Sequence, residues 1–219
     1  MRHVLSLLVL LFVIGCTSVK ENQEPTFGIV IHGGAGTILK ENMSPEMEQA
    51  YREKLSEAVA TGHAILKAGG TSQDAVEQTI HVMENSPLFN SGKGAVLTAN
   101  ESIALDASFM NGKTLDAGAI AGVKHIKNPI SAAIMVMNNS PHVMLAGTGA
   151  DQFAIDQGLD TVPESYFITE RRFDALKRVK EKEASQKLSL NALEKQYFKN
   201  QRIGTCLLYT SDAADDLFR

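Results

Sequence analysis

Cysteine, basic charge and long apolar runs are all scarce in this 219-residue chain, and each absence argues against a class of protein. Its two cysteines, Cys16 and Cys206, cannot form the disulfide framework that holds many small secreted domains together. A formal net charge of -4 argues against a nucleic-acid partner, which would need a basic face. After the N-terminal segment, no window of about 20 residues is apolar enough to span a bilayer. The hydrophobic content of 44% is instead sufficient for a globular core.

The N-terminal segment predicts an export signal followed by a tether. A basic start precedes an uninterrupted apolar run at 5–14, which is too short for a membrane-spanning helix. The residues VIGC at 13–16 match the lipobox of bacterial lipoproteins, so we expect lipidation of Cys16 after removal of a signal peptide at 1–15. This interpretation predicts an exported lipoprotein, periplasmic or held at the outer membrane by its lipid anchor, with a polar tether at 16–26. The alternative is an ordinary secretory signal in which Cys16 has no role.

The body of the chain, 27–187, alternates strand and helix patterns. Strands are predicted at 27–31, where the apolar run suggests burial on both faces, and at 95–98, 102–110, 117–123 and 143–146. Helices are predicted after a cap at Ser44, after a cap at Thr71 or Ser72, from an Asn128 cap through 137, from 147 to about 156, and from 171 to 187. This order favours an α/β fold, specifically half of an αββα sandwich, the N-terminal half. A flexible polar linker at 188–204 follows.

Two features of this body have competing interpretations. The glycine-rich turn at 32–36 (HGGAG) could hold a phosphate, but it is neither a GxGxxG motif nor a Walker loop, and a tight turn with positive φ at glycine explains it equally. Asp106 lies within an apolar strand pattern and would be costly to bury without hydrogen bonds, so we expect it to anchor neighbouring backbone. The charged stretch from Arg171 is interpreted as a solvated helix face.

Several long motifs together resemble one family. These are FGIVIHGGAG at 27–36, PLFNSGKGAVL at 87–97 and LDASFMNGKTLDAGAIAG at 105–122. They follow one another in order, and they resemble the isoaspartyl peptidase / plant-type L-asparaginase family of N-terminal-nucleophile hydrolases. The resemblance implies an αββα precursor that cuts itself before a threonine into α and β subunits. It also implies hydrolysis of L-asparagine or β-aspartyl peptides with no cofactor for catalysis, and assembly with the β subunit as an (αβ)2 dimer.

The dipeptide Gly204-Thr205 is the autocleavage junction that this resemblance implies. Taken alone, it is equally compatible with an ordinary loop threonine. A threonine hydroxyl is a weak nucleophile that needs an adjacent base, and cleavage would free the α-amine of Thr205 for that role. Such amines have a pKa of about 8 in peptides, which suits general-base catalysis. Thr205 is therefore the predicted nucleophile.

The resemblance also implies residues beside the nucleophile. It places the loop containing His32, Gly33 and Gly34 next to the cleavage site, with His32 as a structural hydrogen-bonding group. We predict that the Asn90 side chain supports catalysis near Thr205, since an amide can orient a hydroxyl or stabilise developing charge. The alternative for Asn90 is an ordinary turn asparagine.

A sodium ion is the one bound ion that the resemblance implies, as a structural group. Relatives bind it through main-chain carbonyl oxygens of the loop at 83–93, and hard cations do favour oxygen ligands. The corresponding residues here are Met83, Glu84, Ser86, Phe89, Ser91 and Lys93.

The tail at 206–219 departs from the family pattern, which continues after the threonine with a small apolar strand. The residues from Cys206 to Asp215 back-translate into a transposase adaptor used in DNA library preparation, so we expect 206–219 to be non-native. Because the β part is then missing, we predict that this polypeptide alone is inactive. Two other functions remain open: a glycosylasparaginase-like amidase and a lipid-anchored small-molecule binding module.

Overall fold

The computed structural model describes residues 27–34, 43–185 and 208–210, the last range as backbone only. Predictions that concern 1–26, 35–42, 186–207 or 211–219 lie outside the described residues. These include the signal peptide, the tether, the linker and the Gly204-Thr205 junction. The boundary of 27–187 between body and linker stays a prediction.

Five helices and five strands make up the described residues. The strands are β1 (Ile29–Ile31), β2 (Leu105–Met110), β3 (Ala117–Val123), β4 (Met144–Ala146) and β5 (Leu208–Thr210). The α-helices are α1 (Pro45–Lys67), α2 (Ser72–Glu84), α3 (Pro129–Asn139), α4 (Gly147–Asp156) and α5 (Glu170–Ser185), with one 3-10 turn at Glu164–Tyr166. This mixture of helices and strands confirms the predicted α/β fold class.

Two separate sheets are present among the described residues. In the first, β1 pairs with β5 in antiparallel fashion, with Ile29 opposite Thr210 and Ile31 opposite Leu208. In the second, β2 pairs antiparallel to β3, and β3 pairs parallel to β4. β5 lies in the segment that we expect to be non-native, and its pairing leaves that prediction untested.

The predicted N-terminal caps of α1 and α2 are present. The Ser44 hydroxyl accepts a hydrogen bond from Met47 N at 3.2 Å, and the Thr71 hydroxyl accepts one from Asp74 N at 3.1 Å. Each bond satisfies a backbone N–H that the helix itself leaves free. Thr71, rather than Ser72, is therefore the cap of α2.

The hydrophobic core has three clusters, of which one bears on the candidate site. That cluster contains the buried residues Ala58, Met83 and Phe89. Ile31, Tyr51 and Leu55 pack against it. The cluster therefore joins β1, α1, α2 and the segment after α2. The turn that follows β1 and the loop that follows α2 are thus attached to the same part of the core.

Burial of the first strand on both faces is a wrong prediction. Ile29 and Ile31 are half-buried, whereas Val30 is 69% exposed. Ile31 packs on the cluster just described, and successive side chains of a strand point to opposite faces. The strand thus has one covered face within the described residues.

The predicted strand at 95–98 is also wrong. Ala95 and Leu97 are buried and Val96 is half-exposed, so the alternation that suggested a strand is real. No described segment pairs with it, however, and Thr98 instead begins a tight turn in which Glu101 N donates to Thr98 O at 2.9 Å. The second strand accordingly starts at Leu105 rather than at 102.

Asp106 and Asn128 differ from expectation in an informative way. Asp106 is exposed, yet its Oδ1 accepts a hydrogen bond from Gly122 N at 2.8 Å, where the β2–β3 register shifts. It therefore anchors neighbouring backbone, as predicted, without being buried. Asn128 precedes α3 but makes no side-chain cap, because its amide instead donates to the Glu84 carboxylate at 3.0 Å.

Candidate active-site loops

The first candidate loop is the turn that follows β1. His32 Nδ1 accepts a hydrogen bond from Gly34 N at 3.2 Å, so the ring nitrogen that faces the turn carries no proton. Gly34 has φ of 115°, which disfavours any side chain, and a Cβ at Gly33 would lie 3.1 Å from Leu55 Cδ2. The three residues thus form a tight turn against α1. Their role beside the nucleophile stays a prediction.

The pairing of β1 with β5 relates this turn to the predicted junction. Ile31 lies opposite Leu208, and His32 follows Ile31 directly. Gly204 and Thr205 lie outside the described residues, but Thr205 precedes Leu208 by three positions. The place of the junction relative to this turn therefore stays a prediction.

The second candidate loop connects the end of α2 to the segment at 95–98. Lys93 N donates to Glu84 O at 2.6 Å, which closes the loop at its base. Gly92 and Gly94 have φ of 50° and 106°. A Cβ at Gly92 would overlap the Glu84 carbonyl, and one at Gly94 would lie 2.6 Å from Pro87 O. Both glycines are therefore required for this close approach of two backbone segments.

Asn90 lies at the tip of the second loop and is half-buried. Its side-chain oxygen accepts a hydrogen bond from Val96 N at 2.7 Å. No described residue accepts from its Nδ2, so this amide retains two free donors. Asn90 thus stabilises the turn through its side-chain oxygen and keeps its amide N–H groups free for another partner. Thr205 lies outside the described ranges, so the role of Asn90 in catalysis stays a prediction.

The six carbonyls predicted to bind sodium divide into two groups. Met83 O accepts from Ser86 N at 3.1 Å, and Glu84 O accepts from Lys93 N. Within the described residues, no hydrogen bond engages the carbonyl oxygens of Ser86, Phe89, Ser91 and Lys93. These four carbonyl oxygens are the kind of ligand that a hard cation takes, and sodium binding by the loop stays a prediction.

A pair of arginines that the sequence interpretation missed holds the second loop. Arg171 donates through Nη2 to Pro87 O at 3.1 Å and to Leu88 O at 2.8 Å, and through Nη1 to the Tyr51 hydroxyl at 3.1 Å. Arg172 Nε donates to Gly94 O at 2.6 Å. Both side chains are half-buried, so the predicted solvated face of α5 is wrong at these positions.

A signal for these contacts was available. Arg171 and Arg172 lie in the first turn of α5, where the helix dipole disfavours positive charge. A pair of basic residues at such a position indicates a specific contact elsewhere. We call Arg171, Arg172 and Tyr51 the arginine clamp.

Glu84 has a second role beyond its carbonyl. Its side chain is buried, and its two oxygens accept hydrogen bonds from Ile130 N and Asn128 Nδ2, each at 3.0 Å. Burial raises the pKa of this carboxyl from its ordinary value to about 8, against the opposing effect of the two hydrogen bonds. The residue connects the end of α2 to the start of α3. Sequence offered no signal for it, because a glutamate at the end of a helix is usually solvated.

Comparison with known proteins shows which chains resemble this one. An isoaspartyl peptidase of Escherichia coli is 47% identical over 148 residues, which cover 68% of this chain and 46% of that protein. An isoaspartyl peptidase/L-asparaginase of Mus musculus is 42% identical over 174 residues, covering 80% of this chain and 51% of that protein. A plant-type L-asparaginase of Pyrococcus horikoshii is 46% identical over 154 residues, with coverage of 70% and 48%. The chain therefore spans about half the length of the curated relatives that it matches.

The predicted localisation as an exported, lipid-anchored lipoprotein is wrong. The relatives above belong to a bacterium, a mammal and an archaeon, and their names denote peptidase or asparaginase activity rather than a lipoprotein. Across the described ranges, no helix is long and apolar enough to cross a membrane. Cys16, the predicted lipidation residue, lies outside those ranges. The lipid-anchored binding module is withdrawn together with the anchor.

The sequence model of a family described as Asparaginase matches residues 24–216. That match covers nearly the whole chain, including both candidate loops. The fold of that family agrees with the helices and sheets described above. The chain therefore belongs to the asparaginase family that includes isoaspartyl peptidases and plant-type L-asparaginases.

Proposed function

We propose that this chain supplies the α part of a self-cleaving threonine amidohydrolase that acts on L-asparagine, on β-aspartyl peptides, or on both. Thr205 is the nucleophile, and the bond between Gly204 and Thr205 is the one cut. The names of the matched relatives support the two substrate classes. A glycine before the threonine favours this branch over a glycosylasparaginase-like amidase, for which aspartate precedes the nucleophile.

The chemistry follows from the freed amino terminus. The α-amine of Thr205 removes the hydroxyl proton as the oxygen attacks the side-chain carbonyl of the substrate. The C–N bond then breaks, and the leaving ammonia or amino group takes up that proton. Water attacks the resulting aspartyl ester, which releases aspartate from either substrate and restores the hydroxyl. No cofactor enters these steps.

The observation that carries this proposal is the match of residues 24–216 to the asparaginase family, since that range includes both candidate loops and the Gly204-Thr205 dipeptide. The resemblance implies that the turn of His32, Gly33 and Gly34 lies beside the junction. The His32 ring is fixed by Gly34 N and leaves Nε2 as a donor. A fixed donor beside the junction can orient the carbonyl of the bond to be cut.

The second loop is proposed to hold a structural sodium ion. The carbonyl oxygens of Ser86, Phe89, Ser91 and Lys93 remain available among the described residues, and Glu84 O retains a second lone pair. Met83 O accepts from both Ser86 N and Asn85 N and is the least available of the six. The ion would supply fixed positive charge that orders the loop around Asn90. Asn90 Nδ2 would then donate toward the Thr205 hydroxyl.

The partner of this chain is proposed to be its own β subunit, within an (αβ)2 dimer. The groups that bind substrate in the family belong to that subunit according to the resemblance, so we propose that the 219-residue polypeptide alone is inactive. Whether 206–219 are native is decided by the nucleotide sequence, since codons that differ from the adaptor would refute a foreign origin.

The decisive experiment compares Thr205→Ala with Thr205→Ser in the full-length gene product. Gel electrophoresis reports self-cleavage, and ammonia release or β-aspartyl dipeptide hydrolysis reports activity. We expect Thr205→Ala to abolish both, whereas Thr205→Ser retains a hydroxyl and some of each. Cleavage or hydrolysis by Thr205→Ala at the rate of the unmodified protein would refute the proposed nucleophile.

A further inference from the structure

The arginine clamp and the candidate cation site use different carbonyls of the same loop. Arg171 and Arg172 donate to the carbonyl oxygens of residues 87, 88 and 94. None of these three belongs to the six proposed to face the ion. The guanidinium groups therefore hold carbonyls that are not among the ion's proposed ligands. This division fixes the two peptide planes that precede Phe89 and the one at the end of the loop.

Two members of the clamp, Arg171 and Tyr51, each make more than one contact. Tyr51 accepts from Arg171 and donates its own proton to Leu88 O at 2.7 Å. Its ring packs edge-on against Phe89, with centroids 5.7 Å apart. Gly94 is held on both sides, because its N–H donates to Phe167 O at 3.0 Å while its oxygen accepts from Arg172. The planar fork of arginine allows such multiple donation, whereas lysine offers a single flexible centre.

This arrangement places like charges together at an electrostatic cost. Burial and the neighbouring charge of Arg171 lower the pKa of Arg172. Among the described residues, neither arginine forms a salt bridge with a carboxylate, and both lie at the positive end of α5. In the part of the chain that the structure describes, their side chains donate only to neutral acceptors, namely carbonyl oxygens and the Tyr51 hydroxyl. A clamp that served stability only would be better built from uncharged donors.

We propose that Arg171, Arg172 and Tyr51 are positioning residues that fix the carbonyls of the loop containing Asn90 for cation binding and catalysis. This inference rests on the proposed function of that loop. The clamp contacts neither substrate nor reacting atoms in this proposal. It acts through the loop backbone, so its loss displaces the ligand carbonyls and Asn90 together.

The test uses the full-length enzyme with Arg171→Lys, Arg172→Lys and Tyr51→Phe. Arg178→Lys is the matched control, since Arg178 is exposed on the same helix and its side chain forms no hydrogen bond or salt bridge within the described residues. Three quantities are measured: kcat and KM for the amide substrate, the Na+ concentration that gives half of the Na+-induced rise in unfolding temperature, and the unfolding temperature without Na+. Tyr51→Phe removes one hydroxyl and keeps the ring, so it tests the clamp if a lysine variant fails to fold.

We expect each clamp variant to lower kcat by about tenfold or more with little change in KM, because a displacement of about 1 Å in a supporting group costs up to about a hundredfold. The half-saturating Na+ concentration should rise at least about fivefold, and added Na+ should restore part of kcat. Values of kcat and Na+ half-saturation equal to those of Arg178→Lys would overturn the proposal. So would a loss of kcat without any change in Na+ binding. If the unmodified enzyme neither cleaves itself nor hydrolyses substrate, the proposed function fails, while the Na+ dependence of unfolding still tests the clamp.

Discussion

Replacing Glu84 with glutamine removes a buried titrating group while keeping its shape. Glu84 is buried between α2 and α3, and burial raises its pKa from an ordinary 4.5 to about 8. The folded protein therefore holds this proton over a pH range in which the unfolded chain has already released it. The associated stability is fully present below pH 4.5 and is lost as the pH rises to about 8. Glutamine stays neutral throughout and cannot show this loss.

The size of the effect follows from the two pKa values. Each pH unit of difference is worth 1.36 kcal/mol, so between pH 5.5 and 8.5 the folded protein loses ~3 kcal/mol through Glu84. Glutamine can still accept from Ile130 N, although its Nε2 faces the Asn128 amide and requires that amide to turn over. The loss of one neutral hydrogen bond there costs about 1 kcal/mol, independently of pH.

The assay is the unfolding temperature of the full-length enzyme and of Glu84→Gln at pH 5.5, 7 and 8.5. At about 2–4 °C for each kcal/mol, the unmodified protein should lose roughly 6–12 °C relative to the variant across this range. Glu84→Asp is a useful control, since it keeps a titrating carboxyl and should keep the pH dependence. Parallel profiles for the unmodified protein and Glu84→Gln would refute a raised pKa, and would mean that the N-terminus of α3 holds the carboxylate in its charged form.

Two further changes test the packing and the backbone anchors. Gly118→Ala places a Cβ on β3 against the Ala133 carbonyl of α3, where backbone cannot give way, so we expect the unfolding free energy to fall by about 1–3 kcal/mol or more. Gly149→Ala, which meets no atom within 4 Å, should be neutral or slightly stabilising, and equal effects of both changes would contradict the packing argument. Asp151→Ala leaves the N–H groups of Lys124 and His125 unpaired and should cost about 1–3 kcal/mol in a calorimetric measurement, with Asp151→Asn costing less. If Asp151→Asn lowered the unfolding free energy as much as Asp151→Ala does, the negative charge of Asp151 would matter there rather than its ability to accept hydrogen bonds.

Local patterns predicted the elements whose ends depend on nearby residues. The start of α1 after Ser44 and the start of α2 after Thr71 follow from single hydroxyl caps. The bounds of β3 at Ala117–Val123 and of α4 at Gly147–Asp156 match the sequence prediction, because turn residues flank both. The family, too, could be identified from the motifs alone.

Features that depend on distant residues could not be predicted in this way. The segment at 95–98 alternates like a strand, but pairing is decided by whether another strand lies beside it. The contacts of Arg171 depend on carbonyls more than 80 positions earlier in the chain, as the 84-residue separation from Pro87 illustrates. The Glu84 carboxylate accepts a hydrogen bond from Ile130 N at the start of α3, 46 positions later in the chain. The burial of this carboxylate could not be predicted without knowing that α3 lies against the end of α2.

The bond between Tyr51 and Arg171 joins residues 120 positions apart, which sets an order of events during synthesis. A ribosome adds about 5–20 residues each second, so Tyr51 is made roughly 6–24 s before Arg171. The loop containing Asn90 must meanwhile exist without its clamp, and closing so long a loop carries an entropic cost. Arg171 is nevertheless made before Gly204 and Thr205. Every residue of the clamp is therefore present in the chain before the bond that we propose it cuts.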